Sequence, residues 1–307
     1  MMTTSWKPGR GTNIVELTPI SDLGPREYRS FPGGLYPGAS SRRPAAYEAA
    51  GLDLAAVIQP VDEEGNRSAA GKIVMISVGM SNTSQEFSEF IRLSNGRCRK
   101  NPQLLLIDAA RDGDSAAQIA DPGDDYWRFV EKSIRIGGGS IAQVQVVWLK
   151  TALAHERCGF PQNARRLQGA LRSIAEILNR KFPQLRLVYI SSRIYGGYSE
   201  TPLSPEPTAY ETAFAVKWLI EDRIADPALA QSLPWLSWGP YLWANGRSHR
   251  SDRLSWERKD FGVDGVHPSP RGALKVANKL LEFFENDATT RPWFLGSNCA
   301  SRMQSSK

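Results

Sequence analysis

From Lys72 to Phe284 the chain alternates short apolar runs with longer amphipathic stretches, and that alternation leaves few folds open. The runs Lys72 to Val78, Gln103 to Asp108, Val144 to Trp148, Leu185 to Ile190 and Leu236 to Leu242 have strand length and strand composition. Between and after them, Thr83 to Leu93, Asp125 to Ile136, Pro161 to Lys181, Tyr210 to Ala225 and Pro270 to Phe284 have helical periodicity. In the third of these, Leu167, Leu171, Ile174 and Leu178 recur so as to make one buried face. Strands separated by helices imply a parallel sheet covered on both faces, so the expected fold is α/β, a single three-layer α/β/α domain with a parallel sheet of about five strands. The expected divisions are 1–70 as an irregular arm rich in Gly, Pro, Ser and Arg, 71–290 as the α/β domain, and 291–307 as a tail. Within the arm, Asp53 to Ile58 is read as one added edge strand.

Composition excludes several classes. At 307 residues with 41% hydrophobic residues the chain is long enough to bury a sizeable core. No apolar run is long enough to cross a bilayer and the first thirty residues show no secretory h-region, so no stable membrane insertion is expected and the default location is cytoplasmic. Cys98, Cys158 and Cys299 are too few and too scattered for a disulfide framework or a zinc site, and reduced thiols are expected. The net charge of +6 is dispersed along the chain, with short clusters such as Arg42-Arg43 and Arg165-Arg166, so no nucleic-acid partner is expected.

Two distant segments carry chemistry. Ser81 falls just past the first strand, in Gly79-Met80-Ser81-Asn82, where open parallel sheets bind ligands. A polar loop residue beside a helix start is the plainer alternative, since Thr83 and Glu86 have capping-box spacing. Near the other end, Asp264-Gly265-Val266-His267-Pro268 lets a carboxylate reach one imidazole nitrogen and leaves the other free, with Ser269 and Pro270 as N-cap and first turn of the last helix. The chain has three histidines, and neither His155 nor His249 has an acid so placed. A serine hydroxyl becomes a useful nucleophile when a histidine takes its proton and a carboxylate fixes that histidine.

These segments, with Asp112-Gly113-Asp114-Ser115 after the second strand, resemble the SGNH (GDSL-type) hydrolases in order and spacing over roughly Lys72 to Phe284. The resemblance implies a flavodoxin-like sheet and an ester hydrolase with Ser81 as nucleophile, Asp264 and His267 as its partners, and the Gly113 and Ser81 amides as oxyanion donors, without metal or organic cofactor. Its expected substrate is a small-molecule or glycan ester. Two departures are plain: Met80 stands where the family has aspartate, and the block III Gly-x-Asn-Asp is absent. Lys150 is the candidate third oxyanion donor or a plain surface lysine, and Asn82 is a weaker substitute. A binding protein that has lost activity on the same fold is the competing class.

The run Ser191-Ser192-Arg193-Ile194-Tyr195-Gly196-Gly197-Tyr198 is also similar to extended short-chain dehydrogenases, but no Gly-rich dinucleotide turn follows an early strand and Phe214, not lysine, stands four residues after Tyr210. The segment is better read as a substrate wall of Arg193, Tyr195 and Tyr198, with Trp243 from the Trp235 to Trp243 run; core packing is the alternative for the aromatics.

Overall fold

The computed structural model describes residues 17–154 and 158–296; His155, Cys299 and the outer parts of the arm and tail lie outside the described residues. Five strands, β1 (Ile73–Gly79), β2 (Leu104–Ile107), β3 (Val144–Lys150), β4 (Leu187–Ile190) and β5 (Trp235–Trp238), form one sheet in the order β2-β1-β3-β4-β5. All neighbouring pairs are parallel. Every residue of β1 and β3 is buried, as a parallel sheet with two covered faces requires.

Side-chain alternation sorts the core into two layers. Val74, Ile76 and Val78 of β1 pack with α3 (Asp125–Ile136), α4 (Gln162–Lys181) and α5 (Thr208–Ala225). Ile73 and Met75 pack instead with α2 (Ser81–Asn95) and α6 (Pro270–Asn286). The α4 face expected from spacing is the buried one: Leu167, Leu171, Ile174 and Leu178 are each at most 3% exposed, which stabilises the fold by roughly 1.5–3 kcal/mol per side chain.

Three local expectations are corrected. Asp53 to Ala56 closes a helix, α1 (Ala45–Ala56), rather than forming an edge strand, because the alanine-rich run before it favours helix. The last strand stops at Trp238, because Gly239 and Pro240 follow and proline has no N–H for the ladder. Cys98 is disulfide-bonded, whereas Cys158 is a free, exposed thiol. Residues 295 and 296 run beside Arg99 and Lys100, with a Lys100–Leu295 bridge and Gly296 N–H donating to Arg99 O at 2.8 Å.

Residues 17–70 are strapped to α5 by specific bonds: Tyr28 Oη donates to Glu211 at 2.7 Å, and Lys217 Nζ donates to Pro32 O and Gly33 O at 2.8 and 2.6 Å. Among the described residues no helix is long and apolar enough to cross a membrane.

Candidate active site

The sheet order reverses direction between β1 and β3, and the carboxyl ends of those strands open the crevice where such folds bind ligands. Gly79 and Lys150 are register partners at that edge. Gly79 has φ +155°, and a Cβ there would collide with the Lys150 carbonyl oxygen and Thr83 Oγ1. Glycine thus permits the tight passage from β1 into α2, which begins at Ser81. Met80 is the N-cap, extended at φ −104° and ψ −174° and without a side-chain cap. The first amides of α2, Ser81 and Asn82, have no intrahelical acceptor, so the helix presents donors and a partial positive charge beside the serine.

The second segment is built as a pinned turn. Gly262 N–H donates to His267 O at 2.8 Å, Phe261 and Pro268 form a bridge, and Ser269 Oγ caps α6 by accepting from Gly272 N–H at 3.3 Å. Gly265 has φ +67°, and a side chain there would collide with the Tyr198 carbonyl. Glu200 N–H donates to Asp264 O at 3.0 Å, so the segment after β4 holds the same turn.

The two segments meet. Ser81 Oγ lies 2.8 Å from His267 Nε2, and His267 Nδ1 lies 2.5 Å from Asp264 Oδ2. Asp264 Oδ1 accepts from the Val266 and His267 amides at 3.0 and 3.1 Å. Burial acts to raise the Asp264 carboxyl, but its bonds from His267 and these two amides outweigh it and hold the carboxyl below the usual value. An ionised carboxylate only accepts, so Nδ1 carries the ring proton and Nε2 accepts from the Ser81 hydroxyl. That is the tautomer a general base needs.

Gly113 has φ +87°, is exposed, and lies in the loop whose Arg111 N–H donates to Gly79 O at 3.0 Å, so it belongs to the same edge as Ser81. Five other expectations change. Lys150 is neither a surface lysine nor a free donor: its ammonium sits 1% exposed and binds both oxygens of Glu86, at 2.8 and 2.6 Å. Thr83 and Glu86 accordingly make no capping box; Thr83 Oγ1 donates to Lys150 O at 2.5 Å. Asn82 is 1% exposed, and its amide is engaged, with Nδ2 donating to Val266 O at 3.0 Å. Arg193, 4% exposed, donates from Nη1 to Asn82 Oδ1 at 2.9 Å instead of facing a substrate. Trp243 is fully buried and donates to Glu206 Oε1 at 2.7 Å, so it is core. Tyr195 and Tyr198 remain partly exposed and stack edge to face at 5.2 Å.

Sequence reading missed the pairing partners. A lysine closing a largely apolar strand, with a glutamate on the buried face of an earlier helix, is a signal for a buried pair. Nothing in the spacing pointed from Arg193 to Asn82.

No protein-family model matches the chain, and no curated protein matches it. Among solved structures, a GDSL-like lipase from Bacteroides thetaiotaomicron is 15% identical over 77% of this chain and 95% of that one, with a TM-score of 0.38. A lipopolysaccharide acetyltransferase periplasmic domain from Salmonella ser. Paratyphi A is 12% identical over 77% and 94%, with a TM-score of 0.37. A carbohydrate esterase family 2 enzyme with a carbohydrate-binding domain from Corynascus thermopiles is 9% identical over 70% and 66%, with a TM-score of 0.38. These likenesses are remote, and the chemistry below rests on this chain's own residues.

Proposed function

We propose that the protein is a serine ester hydrolase acting through Ser81, His267 and Asp264. The observation that carries this reading is the unbroken line of contacts from Ser81 Oγ through the imidazole to Asp264, at 2.8 and 2.5 Å, formed by residues 186 positions apart. His267 Nε2 takes the Ser81 proton as Oγ attacks the ester carbonyl carbon. The carbonyl π electrons move to oxygen, and the Ser81 and Gly113 amides hold the resulting oxyanion. Each such donor typically contributes a factor of about 100 to 1,000 in rate. Collapse expels the alcohol, which leaves with the proton from His267. Water then gives its proton to the same nitrogen, attacks the acyl-enzyme, and releases the carboxylic acid and free Ser81. Asp264 stays ionised throughout and steadies the imidazolium.

Tyr195 and Tyr198, half-buried beside the catalytic turn, form the wall against which the alcohol or acyl part of a small-molecule or glycan ester rests. The test is turnover of p-nitrophenyl acyl esters by the wild type and Ser81→Ala. Hydrolysis that vanishes in Ser81→Ala supports the reading. A folded wild type that turns over no ester contradicts it and leaves a ligand-binding cleft in its place.

A further inference from the structure

We propose that Arg193 is a positioning residue for acyl transfer: through Asn82 its guanidinium fixes the backbone of the Asp264–His267 turn, and so the imidazole against Ser81. The inference rests on the hydrolase reading above and names a part of that machinery.

Asn82 directly follows the nucleophile and is buried. Its two ends have different partners: Oδ1 accepts from Arg193 Nη1 at 2.9 Å, and Nδ2 donates to Val266 O at 3.0 Å. A guanidinium only donates and a carbonyl only accepts, so one amide orientation satisfies both and the flipped one satisfies neither. The Val266 carbonyl stands one residue before His267, and the Val266 N–H is already held by Asp264 Oδ1. Val266 is therefore gripped at both polar groups, on one side by the catalytic carboxylate and on the other by the helix that carries Ser81.

The arginine's own environment argues against a role in stability alone. Its guanidinium is buried, its Nε has no hydrogen-bond partner among the described residues, and its Nη1 hydrogen bond goes to a neutral amide rather than to a carboxylate. Glu86, the nearest acid on α2, is already bound through both oxygens to Lys150. Burying a charge without a counter-ion in contact is costly for folding. A planar, rigid fork that always carries its donors is, however, well suited to holding an amide in one orientation. Displacement of a catalytic group by about 1 Å costs on the order of 100-fold in rate, so a small loosening of Val266 is enough to be read in turnover.

The experiment measures kcat and KM for p-nitrophenyl acetate in the wild type, Arg193→Met, Asn82→Asp and the double variant, with thermal melts alongside. Arg193→Met keeps the side-chain volume and removes the donor. Asn82→Asp keeps an acceptor for Arg193 and loses the donor to Val266, so the guanidinium stays paired while the link to the turn is cut. The expected result is a fall in kcat of about 10- to 100-fold in each single variant, with KM within about twofold and no further loss in the double variant. A rise in KM at unchanged kcat places Arg193 against substrate and overturns the proposal. Additive losses overturn the route through Asn82, and unchanged kinetics in a folded variant overturn both. If the wild type itself turns over no ester, the hydrolase reading fails, and the positioning role falls with it.

Discussion

Lys150 and Glu86 form a bidentate ion pair, at 2.8 and 2.6 Å, with both side chains buried beneath the turn that carries Ser81. Burial pushes the Glu86 carboxyl up and the Lys150 ammonium down, and each charge opposes the other's shift. Removing one partner strands the other charge. Lys150→Met should therefore destabilise the protein by about 3–5 kcal/mol in urea titrations, and Lys150→Met combined with Glu86→Leu should recover most of that loss. Equal stability of the single and double variants would contradict the pairing.

Asp264→Asn should leave the fold in place and lower turnover by about 10,000-fold, because an amide does not enforce the base tautomer of His267. Steady-state kinetics on a p-nitrophenyl ester reads this directly. A loss of tenfold or less would mean that Asp264 does not set the ring.

The same carboxylate predicts a pH dependence of stability. Its folded-state pKa is held below the ordinary 3.8, so the unfolded chain binds the proton at higher pH than the native one does. The contribution to stability is fully present above pH 3.8 and is lost as pH falls through the lower folded-state value. The stability difference between wild type and Asp264→Asn should be flat at neutral pH and shrink on acidification below that point. A difference that grows on acidification would reverse the sign of the account.

Three glycines should separate by what their missing side chain would meet. Gly265→Ala places a methyl against the Tyr198 carbonyl, and Gly79→Ala places one against the Lys150 carbonyl. Both should cost more than the roughly 1–2 kcal/mol of left-handed strain alone and cut activity, because they displace the two turns that hold the triad. Gly113→Ala, with nothing within 4 Å of its added carbon, should show the strain alone. Melting temperatures of the three variants give the ranking.

The layers of this fold were legible because their cause is local. Val74, Ile76 and Val78 alternate with Ile73 and Met75 across a sheet buried on both faces, and an amphipathic stripe such as Leu167 to Leu178 reports which side it covers. Asp264 and His267 were legible for the same reason, since three residues of turn suffice to bring them together. The roles of Lys150, Asn82 and Arg193 were not. Each depends on a partner at the end of another element, Glu86, Val266 and Asn82 respectively, and long-range pairing leaves no period in the chain. Trp243 misled for a related reason: an aromatic before a catalytic turn looks the same in sequence whether it faces a ligand or, as here, donates to a half-buried Glu206.

The central claim is that Ser81 is a nucleophile activated by His267. Intact-mass measurement after incubation with a fluorophosphonate tests it most directly. The account predicts one adduct on the wild type, none on Ser81→Ala, and greatly slowed labelling of His267→Ala. A folded wild type that takes no adduct, or an adduct that persists in Ser81→Ala, would contradict it.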